Sequence, residues 1–186
     1  MVPYRLATPT YQRTINAMEV LDVIDENDRV IGQASRADCH TDPTLIHRAV
    51  HFTLVDLANR LVMISRRARS KKHDGGLLCF LGEHVNAGED YEAAVRRGAK
   101  EELEFTASTV HEAGEHVFAE PTSTERVKFY LIEADHAQPL TWDKDEIEEI
   151  EWVTPEQLGT LAVSAMTEFW REHIDWRELL DSPPAT

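Results

Sequence analysis

GEHVNAGEDYEAAVRRGAKEELEF, Gly82 to Phe105, reads as a glycine-bearing loop that runs into a helix. From Asp90 to Leu103 the apolar residues Tyr91, Val95, Ala99 and Leu103 recur every four positions, which lays one stripe along a helix. Acidic residues in its first turn suit the positive end of the helix dipole. The far end carries the chemistry. Glu101 and Glu102 leave the helix about 100° apart, on neighbouring faces, and Glu101 follows Arg97 by one turn, the spacing of an i,i+4 ion pair. A cation such as Mg²⁺ takes carboxylate and carbonyl oxygens and fills its remaining positions with water and substrate phosphate. The bland alternative for KEELE alone is a solvated surface. Gly98, inside the helix, costs roughly 1 kcal/mol relative to alanine and leaves space one turn from Glu102.

Outward from this segment, EVLDVIDENDRVIGQASR predicts a strand over Val20 to Ile24, a polar turn at DENDR and a short return strand. HRAVHFTLVDLANRLVMISRR repeats that plan, with β-rich runs at 48–55 and 61–66 around DLANR. HDGG is a turn signal, and LLCFLGEHV is an apolar run suited to one buried strand. Downstream, strands are expected at 113–119, 127–133 and 148–153. Helices follow at 155–161 and 163–181, the latter carrying Phe169, Trp170 and Trp176, with Trp170 read as a core residue. Residues 1–17 read as an extended arm, 18–181 as one domain and 182–186 as a frayed tail. This order of elements is that of a mixed α/β domain.

The chain has 186 residues, 42% hydrophobic and 28% charged, the composition of a globular protein rather than a disordered one. Its 19 Lys and Arg against 34 Asp and Glu give a formal charge of −15, which excludes a duplex nucleic-acid binder. A small phosphate-bearing ligand stays open, because a bound cation reverses the local sign. No apolar run approaches the roughly 20 residues of a membrane span, and the N-terminus shows no secretory cleavage pattern. Cys39 and Cys79 make no disulfide framework, so the expected setting is the cytoplasm, without a membrane partner.

The segment resembles the signature box of the Nudix hydrolase superfamily, G-x5-E-x7-R-E-U-x-E-E-x-G-U with U aliphatic. Glu89, the spacer, Arg97, Ala99, Glu101 and Glu102 match in register, and Phe105 fills the last apolar place. Three positions depart: Glu83 for the first Gly, Gly98 for the Glu after Arg97, and Glu104 for the last Gly. The resemblance implies the Nudix fold, a mixed β-sheet sandwiched between helices, and metal-assisted cleavage of X-linked diphosphates. It makes Glu102 the principal metal ligand, Glu101 a second, the Gly82 carbonyl a third, and Glu89 a member of the metal set that braces the loop. Mg²⁺ or Mn²⁺ is the implied cofactor.

Within the superfamily the chain is similar to the type I isopentenyl-diphosphate isomerase branch over Leu21 to Leu158, through DENDRVIG, HTDPTLIH, RRARSKK, AVRR and EIEWVTPEQL. That similarity implies a second, transition-metal site at His40, His47 and His84, since imidazole with carboxylate suits Mn, Fe, Co or Zn. Two glutamates of a later strand complete the branch's set. TSTERVKFYL offers Glu125, with Glu120 the alternative for the second, and His51 and His73 read as structural or surface residues. Arg67, Lys71 and Arg36 match the diphosphate-contacting positions, and guanidinium and ammonium groups suit phosphate oxygens. The branch's catalytic cysteine falls at Gly82. Cys79, three residues earlier, points to the opposite face of an extended strand.

The expected function is therefore a Nudix-type hydrolase of a diphosphate-containing small molecule, a nucleoside di- or triphosphate or a prenyl diphosphate. Glu101 and Glu102 carry the catalytic cation, and Glu125 stands in as general base for the carboxylate absent at Gly98. The competing readings are a catalytically idle Nudix-like ligand-binding domain and the isomerase itself. The arm and the tryptophan-bearing C-terminus can support a homodimer.

Overall fold

The sheet is organised around residues 47–56, the most continuously buried run of the chain. The computed structural model describes residues 19–182, so the expected arm and residues 183–186 lie outside the described residues. The elements in chain order are β1 (Val20–Ile24), β2 (Val30–Ser35), α1 (Arg36–Cys39), β3 (His47–Asp56), β4 (Leu61–Arg67), β5 (Leu78–Cys79) and β6 (Leu81–His84). There follow α2 (Tyr91–Leu103), β7 (Val110–Glu120), β8 (Ser123–Glu133), β9 (Ile147–Val153), α3 (Pro155–Leu158), α4 (Ala165–His173) and α5 (Trp176–Asp181).

Along one edge β3 runs parallel to β8, from His47 opposite Glu125 to Val55 opposite Glu133. Along the other it meets three antiparallel partners in turn: β1 at His47, β6 at Ala49–Phe52 and β4 at Val55–Asp56. Because successive strand side chains alternate, β3 feeds two cores. Val50, Phe52 and Leu54 pack with Ala94, Val95, Ala99 and Leu103 of α2. Ala49 and Val55 pack with Val127, Phe129, Trp170 and Trp176 beneath the C-terminal helices. A mixed sheet between helices is the expected architecture, and it is the one observed.

Helix α2 forms as its stripe dictates. Asp90 caps it, accepting from the Ala93 N–H at 2.7 Å, and the chain leaves through Glu104 in the left-handed region, φ 52°. Elsewhere local patterns mislead. LLCFLGEHV is two strands, since Phe80 leaves the ladder: its N–H goes to Thr167 Oγ1 at 3.0 Å and its ring packs on Phe129 and Trp176. Thus β5 pairs with β4, and β6 with β3. The helix expected at 163–181 is broken at Ile174, which is extended, and Asp175 caps α5 by accepting from Arg177 and Glu178. Helix α3 stops at Leu158, short of residue 161. The strands expected at 113–119 and 127–133 extend into a hairpin of two 11-residue strands, and α1 was not anticipated.

Gly98 is buried in α2 with no room for a larger residue. A Cβ there would lie 2.6 Å from Glu83 Cγ and 2.9 Å from Phe52 Cε1, and Phe52 is fully buried. Gly98→Ala therefore loses stability by about 1–3 kcal/mol of overpacking strain, which outweighs the roughly 1 kcal/mol gain of helix propensity. A rise in the urea midpoint on this substitution contradicts the tight packing described.

Candidate active site

Strand β6 divides the site. Residues opposite one another in a ladder share a face, so Gly82, opposite His51, and His84, opposite Ala49, lie on the face of His47 and Glu125. Glu83, opposite Val50, lies on the other face, toward α2. A cleft of about 830 Å³ takes in both sides, with Gly82, Glu83 and His84 in its lining.

On the first side, His40 at the end of α1, His47 and His84 converge on Glu125. Its Oε1 lies 3.7, 3.6 and 3.7 Å from their Nε2 atoms, and all the ligand atoms fall within 4.8 Å of one another. His40 Nε2 is 2.9 Å from His84 Nε2. His47 Nε2 is buried with no hydrogen-bond partner among the described residues, a costly arrangement unless something binds it. Burial and the neighbouring His84 push the His40 imidazole down to about 4, which keeps it neutral. Burial opposes ionisation of Glu125, yet the His47 and His84 rings beside it hold its carboxyl well below the ordinary range. Imidazoles around a carboxylate, one with an orphaned nitrogen, fit a transition-metal ion.

Glu125, expected as general base, is thus placed inside the histidine cluster. No second glutamate joins it among the described residues. Ser123 stands two residues earlier, its hydroxyl 3.5 Å from Glu125 Oε1, and Glu120 is exposed at the end of β7. His51, expected to be structural, lines the cleft. Its Nδ1 accepts from Trp170 Nε1 at 2.8 Å, so the remaining proton sits on Nε2. Burial pushes this ring also down to about 4. A Cβ at Gly82 would meet His51 Cδ2 at 2.9 Å, so the ring fills the space of a side chain at 82. The shared strand parity of His47 and His51 is the signal that marks it.

On the second side, Arg97 organises the loop. Its Nε and Nη2 donate to Glu89 at 3.0 and 3.1 Å, its Nη1 to Glu83 and Glu101 at 3.2 Å each, and its Nη2 to the His84 carbonyl at 2.7 Å. Glu89 also accepts the Asn86 N–H at 3.0 Å. Both Glu89 oxygens are committed to this brace and the residue does not line the cleft, so it is not placed with the metal set. Glu101 and Glu102 line the cleft; the Glu101 side chain is 59% exposed and reaches back to Arg97. Burial, then Glu83 and Glu146, push the Glu102 carboxyl up to about 7, against Arg67 and Lys71.

The basic loop sorts itself. Arg66 pairs with Glu149 and Glu151, and Arg69 with Glu148. Arg67 and Lys71 line the cleft, Lys71 beside Glu146, and Arg36 lines it paired to Glu19 at 3.3 Å. Asp143 and Glu146 complete that wall without any local sequence signal. Cys79 does not line it. A third cluster, Asp56 with Asp135 and His136, is a loop clasp: Asp56 accepts from Asn59 and from His136 through both backbone and ring.

A family model, the NUDIX domain, matches residues 45–176, which hold the arginine-braced loop and the paired helix carboxylates. The chain belongs to the Nudix family. An uncharacterised Nudix hydrolase of Yersinia pestis is 32% identical over 148 residues, 79% of each chain. The uncharacterised Nudix hydrolase YfcD of Escherichia coli is 30% identical over 148 residues, 79% of this chain and 80% of its own. Among solved structures, DR0079 from Deinococcus radiodurans superposes with a TM-score of 0.65 at 28% identity, covering 83% of this chain and 98% of its own. The MutT protein from Methanosarcina mazei shares the fold, with a TM-score of 0.59 at 20% identity over 75% of this chain and 94% of its own. Nudix hydrolases use divalent metals, and in this Nudix chain the three histidines and Glu125 bring their ligand atoms together while Glu83, Glu101 and Glu102 line the same cleft.

Two outcomes follow for the metal-free protein. Co²⁺ titration gives one visible-absorbing site, lost in His84→Ala. The raised Glu102 carboxyl means that the folded state holds a proton the unfolded state has released between about pH 4.5 and 7. Stability consequently falls as pH rises through that window, and Glu102→Gln flattens the fall. Urea midpoints at both ends of the window, taken in EDTA, test the sign.

Proposed function

We propose that this Nudix protein is a metal-dependent diphosphohydrolase acting on a small molecule, a nucleoside di- or triphosphate or a prenyl diphosphate. The observation that carries the reading is that Glu102 shares one cleft with Arg67 and Lys71. Carboxylates gather the cation and basic groups take the phosphates. Mg²⁺ or Mn²⁺, when bound by Glu101, Glu102 and the Gly82 carbonyl, would supply charge neutralisation and lower the pKa of water. Arg67 and Lys71 orient the phosphates and oppose charge developing on their oxygens, and Arg36 reaches the same space from α1. His40, His47, His84 and Glu125 form a separate transition-metal set, which removes Glu125 from the role of base. The setting is the cytoplasm; both cysteines are free, and no helix among the described residues is long and apolar enough to cross a membrane.

One observation favours a second reading, a ligand-binding domain without turnover: Gly98 provides no carboxylate on the helix at that position. The isomerase reading lacks its thiol, since Gly82 has no side chain and Cys79, its thiol pushed up by burial, lies outside the cleft lining.

A diphosphate panel with Mg²⁺ or Mn²⁺ separates these readings. The hydrolase gives metal-dependent phosphate release that Glu102→Gln reduces by about a hundredfold or more, while Arg67→Ala mainly raises KM. Tight binding of a panel member without turnover under either metal favours the idle domain.

A further inference from the structure

We propose that Glu83 supplies a cation-binding carboxylate to the helix side of the cleft from strand β6, through the space that Gly98 leaves free. The inference rests on the reading of Glu101 and Glu102 as the cation's helix ligands and adds a residue to that site. Two departures from the box, Glu83 and Gly98, are one feature in three dimensions. The Glu83 stem crosses α2 where a side chain at 98 would begin, with its Cγ 2.6 Å from that missing Cβ. The two positions share one volume, so only one of them can carry a side chain. Here the carboxylate comes from the strand.

Its placement suits a ligand better than a structural brace. Glu83 lies on the α2 face of β6 and lines the cleft with Glu101 and Glu102, its side chain 19% exposed. Its Oε2 and that of Glu101 each lie 3.2 Å from the same nitrogen, Arg97 Nη1. One guanidinium therefore serves Glu83, Glu89 and Glu101, and Glu102 stands beside them. Half-buried carboxylates that outnumber their cation are costly unless they take up protons or a further positive charge arrives. Arg67 and Lys71 line the same cleft, and Lys71 is already paired with Glu146. A divalent ion resolves the deficit.

The test is a Mn²⁺ titration of the full chain, followed by electron paramagnetic resonance, with one equivalent of Zn²⁺ present to fill the histidine set. Wild type, Glu83→Gln and Glu102→Gln are compared, alongside hydrolysis of the same diphosphate panel. The amide introduced by Glu83→Gln keeps an acceptor for Arg97, so an unchanged circular dichroism spectrum and urea midpoint are expected. Mn²⁺ affinity falls by about tenfold or more in both variants. Loss of binding in Glu102→Gln with wild-type affinity in Glu83→Gln overturns the assignment of Glu83 and leaves the helix site standing. Wild-type affinity in both variants overturns the assignment together with the site it rests on. If Glu83→Gln lowers the urea midpoint as well as the affinity, Glu83→Asp decides: restored stability with affinity still reduced supports a ligand, and full restoration of both at the shorter reach overturns it.

Discussion

Arg97 is the fixed point of this site. Burial opposes its charge, but Glu89 and Glu83 hold the guanidinium firmly protonated, and its fork bonds Glu89 with two nitrogens while Nη2 also takes the His84 carbonyl. One side chain thereby ties helix α2 to the end of strand β6 and to the turn between them. A lysine could not substitute, because a single ammonium lacks the planar set of donors that reaches all these oxygens. The stereochemistry of both cleft walls follows from that tie. Arg97 holds the backbone carbonyl of His84, whose ring joins the histidine cluster, and Glu101 and Glu83 are drawn to the same guanidinium from helix and strand.

Given that anchor, strand alternation does the sorting. The period of two in β6 sends Gly82 and His84 to one face and Glu83 to the other. An imidazole set with one carboxylate is therefore kept on a different face from Glu83 and the α2 carboxylates. The first suits borderline transition metals and the second a hard, water-retaining cation. A register slip of one residue would exchange the faces and destroy both. Phe80 guards against it. By leaving the ladder to pack on Phe129 and Trp176, it ends β5 on β4 and lets β6 begin afresh on β3.

What was legible in the sequence was what is local. The α2 stripe, its acidic end and the strands flanking DLANR were readable from periodicity and local pattern. The grouping of His40, His47 and His84, and the choice of Arg67 and Lys71 from a loop of five cations, came from the resemblance to the isomerase branch. What was not legible depends on contacts across the chain. The division at Phe80 needs Thr167 to take the freed N–H. The break at Ile174 had a local sign in Asp175, a good cap, but the apolar pattern on either side outweighed it. The sequence offers Glu125 both to the histidine set and as a base; its place opposite His47, far upstream in the chain, puts it in the set. Glu83 and Gly98 each looked like a defect, since their shared volume exists only when β6 lies across α2.

The charge of the whole chain and the charge of the cleft pose the same problem for an anionic ligand. The lining carries seven acids, Glu19, Glu83, Glu101, Glu102, Glu125, Asp143 and Glu146, against Arg36, Arg67, Lys71 and Arg97. Three of those four cations are spoken for: Arg36 by Glu19, Lys71 by Glu146, and Arg97 by its own loop. Arg67 alone among them has no carboxylate within ion-pair distance among the described residues; its Nε donates to the His73 carbonyl at 3.1 Å. A single free guanidinium does not offset this excess against a diphosphate, which brings at least two further negative charges. On the proposed function, phosphate entry and cation entry become one event: the acids that would repel the ligand are the ones that would recruit the ion, and Arg67 is the cation left to orient the phosphates.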